Sequence, residues 1–307
     1  MNKKARLRPN MQYLPLYLMM LPGLCYLLIN NYIPMAGIVI AFKKLNFSKG
    51  IFASPWCGID NFKFLFATRD AWIITRNTLL YNVLFIIVNM VIGIAIAILI
   101  CEVRNKKMKK LYQSVILLPF LMSMVILSYI VYALLSSENG LINNTILSTL
   151  NMDPIQWYQQ PKYWPFILVF ANCWKGVGYG CLIYIASLIG IDPSYYEAAR
   201  LDGASKWQEI SKITLPCLVP TIITMLLLSI GRIFYSDFGL FYQVPMNSGV
   251  LFPTTNVIDT YVYRALIERG NISMSSAAGV YQSVVGFVIV MFSNWVVRKT
   301  NKEQALF

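Results

Sequence analysis

Long apolar runs, separated by shorter polar and charged stretches, set the pattern of this chain. Six runs, 14–42, 78–101, 111–135, 164–191, 213–231 and 275–297, carry almost no charge. Each reaches the ~18 residues at which an apolar helix can cross a bilayer. The first follows a basic start of Lys3, Lys4, Arg6 and Arg8. It reads as a retained span bent near Pro34, not as a signal peptide. It is too long, is broken by Pro15, Pro22 and Pro34, and offers no small-residue cleavage site.

The stretches between the runs differ in character. Residues 43–77 form a polar, aromatic loop, and 102–111 a strongly basic turn carrying Arg104, Lys106, Lys107, Lys109 and Lys110. Residues 136–163 hold the turn signals Asn139-Gly140 and Asp153-Pro154. Residues 234–274 read as a long loop with Pro245 and Pro253. With six spans both termini share one side. That side would hold fifteen basic residues in short segments, against nine in the longer outer loops. The positive-inside rule then makes the termini cytoplasmic. No internal repeat or linker interrupts the chain, so residues 1–307 read as one membrane domain of all-α class.

Composition agrees. The chain is 57% hydrophobic and 13% charged, where a soluble domain has ~25% charged residues. The net charge of +13 does not point to nucleic acid, because the basic residues sit at span ends. The absence of histidine excludes a histidine triad or a histidine-liganded zinc site. Six cysteines, none in a Cys-x-x-Cys pair, argue against a disulfide framework or a metal site.

The charged island 192–216 has strong local chemistry. Asp192 can cap a helix that Pro193 starts, and Ser194 to Leu201 continues it. Gly203 is placed to leave that helix in a left-handed conformation. Ser205-Lys206-Trp207-Gln208 is a capping box that restarts a helix at once. The prediction is helix, tight turn, helix, at the membrane surface and running on into the next span.

The spacing Glu197-Ala198-Ala199, three residues, Gly203, nine residues, Ile213-Thr214-Leu215-Pro216 resembles the EAA loop of permease subunits of binding-protein-dependent ABC importers. Trp56-Cys57-Gly58-Ile59-Asp60-Asn61-Phe62 resembles the Trp-x-Gly-Leu-x-Asn-Phe segment of their sugar-type members, and Glu197 to Ala204 is close to the form typical of that group; nearly the whole chain resembles carbohydrate importer permeases, those for oligosaccharides above all. The resemblance implies a six-helix permease of the type I importer kind in the bacterial cytoplasmic membrane. It implies a second permease, two ATP-binding subunits and an extracytoplasmic solute-binding protein as partners, with a carbohydrate as substrate. ATP and magnesium would belong to the ATPase partner, with no cofactor in this chain and no catalytic or metal-ligating residue. Glu197, Ala198, Ala199, Gly203 and Trp207 would then be the coupling residues.

The residues fit that division of labour. The chain holds no Gly-Lys pair, so it has no Walker A loop. Ala198 and Ala199 are small enough to let a partner dock closely, and Glu197, Arg200 and Lys206 suit a polar rim. Trp207 is either an aromatic anchor for the partner or is buried against its own membrane domain.

Polar groups inside spans are costly and therefore informative. Asn172, Trp174, Lys175 and Tyr179 could offer hydrogen bonds and stacking faces to a sugar. Lys175 should face a cavity or meet a structural partner. Gly176-x-x-x-Gly180 suits close helix packing. Asn82, Asn89 and Gln282 read first as interhelical hydrogen bonds and second as ligands. Two other classes fit less well. An ion-coupled secondary transporter needs midplane carboxylates, and the six runs hold no Asp or Glu. A membrane enzyme would lack evident acid–base groups.

Overall fold

The computed structural model describes residues 13–300 apart from Thr68. The basic start and the tail from residue 301, both counted above toward the inner side, lie outside the described residues. Among the described residues every regular element is helical, and the one bridge between extended segments joins Lys43 to Trp56. Five helices are long and apolar enough to cross a membrane, or six if one sharply bent pair counts as a single crossing.

The first apolar run is helical from Leu14 to Phe42. Helix α1 (Leu14–Leu27) widens into a π turn, Leu28–Tyr32, just before Pro34, and tightens to 3-10 geometry over Ala36–Phe42. Proline has no amide to donate, so the helical ladder must change register around it. The chain then folds back. Asn61 donates from Nδ2 to the carbonyls of Ala41 (2.8 Å) and Lys43 (3.1 Å). The aromatic motif around Trp56 therefore ties this loop to the end of the first helix.

Helix α2 (Arg69–Glu102) begins well before the expected residue 78. Its polar first turns are held from outside: buried Asn77 donates to the carbonyls of Pro253 and Asn256. The basic turn is also shorter than expected. Asn105 caps α3 (Lys106–Leu121) through bonds to the amides of Lys107 and Met108, so its lysines are already helical.

The expected third span, 111–135, is not one helix. Helices α3 and α4 (Met124–Leu135) meet at 93° across Met122 and Ser123. Pro119 weakens the last turn of α3, Met122 is extended, and the Ser123 hydroxyl accepts from the Ile126 amide to start a new helix. Both signals are in the sequence, but the continuous apolar run conceals them.

Helix α5 (Trp164–Ile189) packs against α2 through Ala97, Ile100, Cys181, Tyr184 and Ile185. The close backbone approach is made by Gly178, not by the expected Gly176 and Gly180. A Cβ on Gly178 would stand 2.0 Å from the Ile116 carbonyl oxygen of α3, whereas one on Gly180 would meet nothing.

Helices α6 (Pro193–Leu201) and α7 (Lys206–Glu209) follow, and a π turn, Ile210–Thr214, leads into α8 (Leu215–Ile230). The segment read as a long loop, 234–274, is largely helical. It contains α9 (Phe238–Gln243), α10 (Phe252–Thr255) and α11 (Ile258–Ile267), and α12 (Ile272–Thr300) closes the described chain. Leu240, Phe241, Val244, Leu251 and Val257 pack with α2, α4 and α5 in one core. Arg264 of α11 is also buried, donating to Asn247 (2.8 Å), Thr260 (3.1 Å) and Asn256.

Candidate functional site

The helix–turn–helix at 192–216 forms as its local chemistry dictates. Asp192 Oδ1 accepts the Ser194 amide at 2.9 Å, and that bond holds the carboxyl below its ordinary range. Gly203 has φ +76°, and the Ala204 amide bonds back to the Ala199 carbonyl at 2.9 Å, closing α6. Ser205 and Gln208 complete the capping box that opens α7. The turn projects into open space: a Cβ on Gly203 would meet no atom within 4 Å.

Glu197 and Ala198 are exposed and Ala199 is half-buried on α6. Trp207 is 73% exposed, so it is not buried against its own membrane domain. Two more large side chains of this segment are exposed, Leu201 and Tyr195. Sequence reasoning passed over both, since nothing local shows that they stay exposed on a short helix.

The Arg200 and Lys206 side chains are each 56% exposed, and both pair with Glu209, which is only 3% exposed. Arg200 Nε lies 2.8 Å from Glu209 Oε1 and Lys206 Nζ 2.9 Å from Glu209 Oε2. Lys206 also reaches Glu102 at the end of α2, 3.1 Å away. Tyr196 and Thr214 pair at 3.1 Å through their hydroxyls. The loop is thus joined to α2 and to the residue before α8.

A second feature lies between the long helices. A cavity of about 340 Å³ is bounded by α2, α5 and α8. Its polar lining includes Asn82, Asn89, Asn172, Ser229 and Arg232. Asn89 Nδ2 donates to Asn172 Oδ1 at 2.8 Å. Asn89 Oδ1 is buried and accepts no bond. An unmet buried acceptor costs ~1–3 kcal/mol. Asn82 donates to the carbonyls of Thr78 (2.9 Å) and Ile233 (2.8 Å).

The other predicted pathway residues lie elsewhere. Lys175 Nζ donates to the carbonyls of Phe120 (2.9 Å) and Met122 (2.5 Å), at the break between α3 and α4. There the ammonium satisfies the last carbonyls of α3 and complements its dipole. Tyr179 stacks on Phe120 with ring centroids 4.9 Å apart. Trp174 lines a separate, apolar groove with Phe170 and Leu134. Gln282 is buried and donates to the Phe234 carbonyl (2.6 Å) and to Asp259. Asp259 also accepts the Ser236 amide, yet burial holds its carboxyl above the usual carboxylate range. Arg232, beyond the end of α8, is a lining residue that sequence reasoning did not single out.

Comparison with known proteins adds the following. Residues 73–302 match the family described as binding-protein-dependent transport system inner membrane component. Protein LplB of Bacillus subtilis (strain 168) is 34% identical over 94% of this chain and 90% of its own. The polygalacturonan/rhamnogalacturonan transport system permease protein YteP of the same organism is also 34% identical, over 94% of this chain and 89% of its own. Among solved structures, a chain of a bacterial ABC transporter involved in the import of the acidic polysaccharide alginate superposes with a TM-score of 0.87 at 34% identity. It covers 95% of this chain and 97% of that one. A chain of the bacterial alginate ABC transporter in complex with an alginate pentasaccharide-bound periplasmic protein gives 0.86 at 33% identity, covering 95% and 96%.

Proposed function

The chain belongs to the inner membrane components of binding-protein-dependent transport systems, and from that premise we propose that it is one half of the pore of an ABC importer for carbohydrate, in oligosaccharide form. Residues 1–307 form one permease domain with six crossings, the broken α3–α4 pair being the third. The termini and the 192–216 loop face the cytoplasm, and the membrane is the bacterial cytoplasmic membrane. A second permease completes the pore, two ATP-binding subunits supply energy, and an extracytoplasmic protein delivers the sugar.

The observation that carries this reading is the exposed turn at Gly203, with Ala198, Leu201 and Trp207 displayed around it, ion pairs joining it to α2 and a hydroxyl pair joining it to the residue before α8. A turn presented outward and anchored inward is built to receive a push. Closure of the ATPase pair would move α6. Arg200, Glu209 and Lys206 would carry the movement into the helices that bound the cavity, opening it alternately to either side.

The test is uptake of labelled oligosaccharides into vesicles holding the complete assembly. Uptake should require ATP inside, stop with vanadate and survive collapse of ion gradients. Uptake that persists without ATP and collapses with a protonophore would favour an ion-coupled secondary transporter instead.

A further inference from the structure

The turn 231–237 joins α8 to α9 without regular helix. Its residues Arg232, Tyr235 and Asp237 wall the cavity between α2, α5 and α8. Its residues Ile233 and Phe234 are buried in a second core with Ala71, Ile74 and Ile258. Three side chains, each from a different helix, hold its backbone. Asn82 of α2 donates to the Ile233 carbonyl at 2.8 Å. Gln282 of α12 donates to the Phe234 carbonyl at 2.6 Å. Asp259 of α11 accepts the Ser236 amide through Oδ2 at 2.8 Å. Gln282 Nε2 also donates to the Asp259 carboxylate, 3.2 Å from Oδ1 and 3.1 Å from Oδ2.

Both Asp259 oxygens therefore meet N–H donors. An ionised carboxylate only accepts and suits them, whereas a carboxylic acid would turn its O–H against an N–H. Gln282 cannot offer its oxygen to that new proton without giving up the Phe234 carbonyl. One proton on Asp259 thus breaks the hold on Ser236, on Gln282 or on both. Burial favours that proton, holding the carboxyl above its usual range, and the like charge of Asp237 acts in the same direction. No cation opposes it, since among the described residues Asp259 forms no ion pair. Arg264 on the same helix donates to Asn247, Asn256 and Thr260 instead. Neither Asn82 nor Gln282 titrates, and the hydroxyl of Tyr281 beside Gln282 meets that of Thr75 at 3.3 Å.

We propose that Asp259 is a positioning residue for transport: as a carboxylate it fixes the turn that walls the cavity, and a proton taken from the outer side releases that turn. In the orientation proposed above, α8 starts from the cytoplasmic loop and ends at this turn, so the clasp lies at the outer end of the cavity. The proposal rests on that importer reading and adds to it a dependence on the pH outside.

The test follows amide exchange in the complete importer, corrected for the intrinsic rate, as the pH falls from neutral toward the carboxylate range. In wild type the Ser236 amide should lose about tenfold in protection, the size of one charge-assisted hydrogen bond. Ala97 and Tyr184, in the core between α2 and α5, should keep theirs. Asp259→Asn keeps the shape and one acceptor without the charge. It should show the loosened turn already at neutral pH, with no further step on acidification. Uptake of labelled oligosaccharides into vesicles should follow the turn: falling with the outside pH in wild type, low and flat in Asp259→Asn. Protection of residues 232–237 that ignores pH in wild type overturns the proposal. So does an acid step that survives Asp259→Asn, which would give the titration to Asp237. If Asp259→Asn fails to assemble, the wild-type series alone decides. If wild type shows no ATP-dependent uptake of any sugar, the importer reading fails, while exchange at Ser236 still tests the clasp.

Discussion

Arg200 and Glu209 face each other across the Gly203 turn, with Nε 2.8 Å from Oε1 and the carboxylate almost wholly buried. This pair joins the helix that carries the Glu-Ala-Ala triplet to the helix that continues into the membrane. A buried carboxylate that loses its charge leaves its cations unmatched. Glu209→Gln should therefore loosen the loop without unfolding the spans. Amide exchange over residues 197–209 should quicken, and more ATP should be spent per sugar imported. Unchanged exchange would mean that the capping bonds alone hold the loop.

Gly203→Val acts on the same element by a different route. The backbone there has φ +76°, which costs a side-chain-bearing residue ~1–2 kcal/mol. No atom of the chain itself lies within 4 Å of a new Cβ. The damage should thus fall on the partner. The ATPase should co-purify poorly and substrate-stimulated hydrolysis should drop, while the membrane helices stay folded. Retention of both at wild-type levels would remove the loop from the coupling path.

Lys175→Met should be a fault of architecture before it is a fault of transport. It removes two charge-assisted bonds to the carbonyls of Phe120 and Met122 at the 93° break. Each such bond contributes ~1.5–3 kcal/mol. The melting temperature of the detergent-purified assembly should fall along with uptake, and Lys175→Arg should recover part of both. Full stability with lost uptake would move Lys175 back to the substrate path.

Gly178→Ala tests the crossing of α3 and α5. Its Cβ would stand 2.0 Å from a backbone oxygen that no rotamer change can move. Overpacking of this kind costs ~1–3 kcal/mol or more. Gly180→Ala, with open space around it, should be silent. Melting curves of the two variants side by side decide the matter.

Orientation can be read by labelling single cysteines in a cysteine-free background. Val250, exposed beyond α9, should react with an impermeant thiol reagent from outside, and Lys107 should not. The reverse pattern would invert the topology and separate the 192–216 loop from a cytoplasmic ATPase.

The sequence by itself determined what depends on neighbours along the chain. Asp192 and Pro193, Gly203, and the Ser205–Gln208 box act over one to four residues through backbone bonds, and the structure places each as that chemistry requires. The apolar runs likewise located most of the long helices, because transfer from water depends on composition summed along a window.

The tertiary structure alone decided what depends on which helix faces which. Lys175 looked like a pore charge, since nothing local shows that the carbonyls of residues 120 and 122 lie over it. Arg200 looked like a free rim charge, since nothing within its own helix shows that the Gly203 turn brings Glu209 against it. Asn89 and Asn172, eighty-three positions apart, meet at 2.8 Å only because α2 and α5 pack along their lengths. The helices of 238–267 have apolar runs too short to be told from loop; burial against α2, α4 and α5 makes residues 240–257 core, and burial against α2 and α12 does so for α11. Cavity, break and charge network are all products of packing between distant segments, which side-chain spacing along one strand of sequence does not encode.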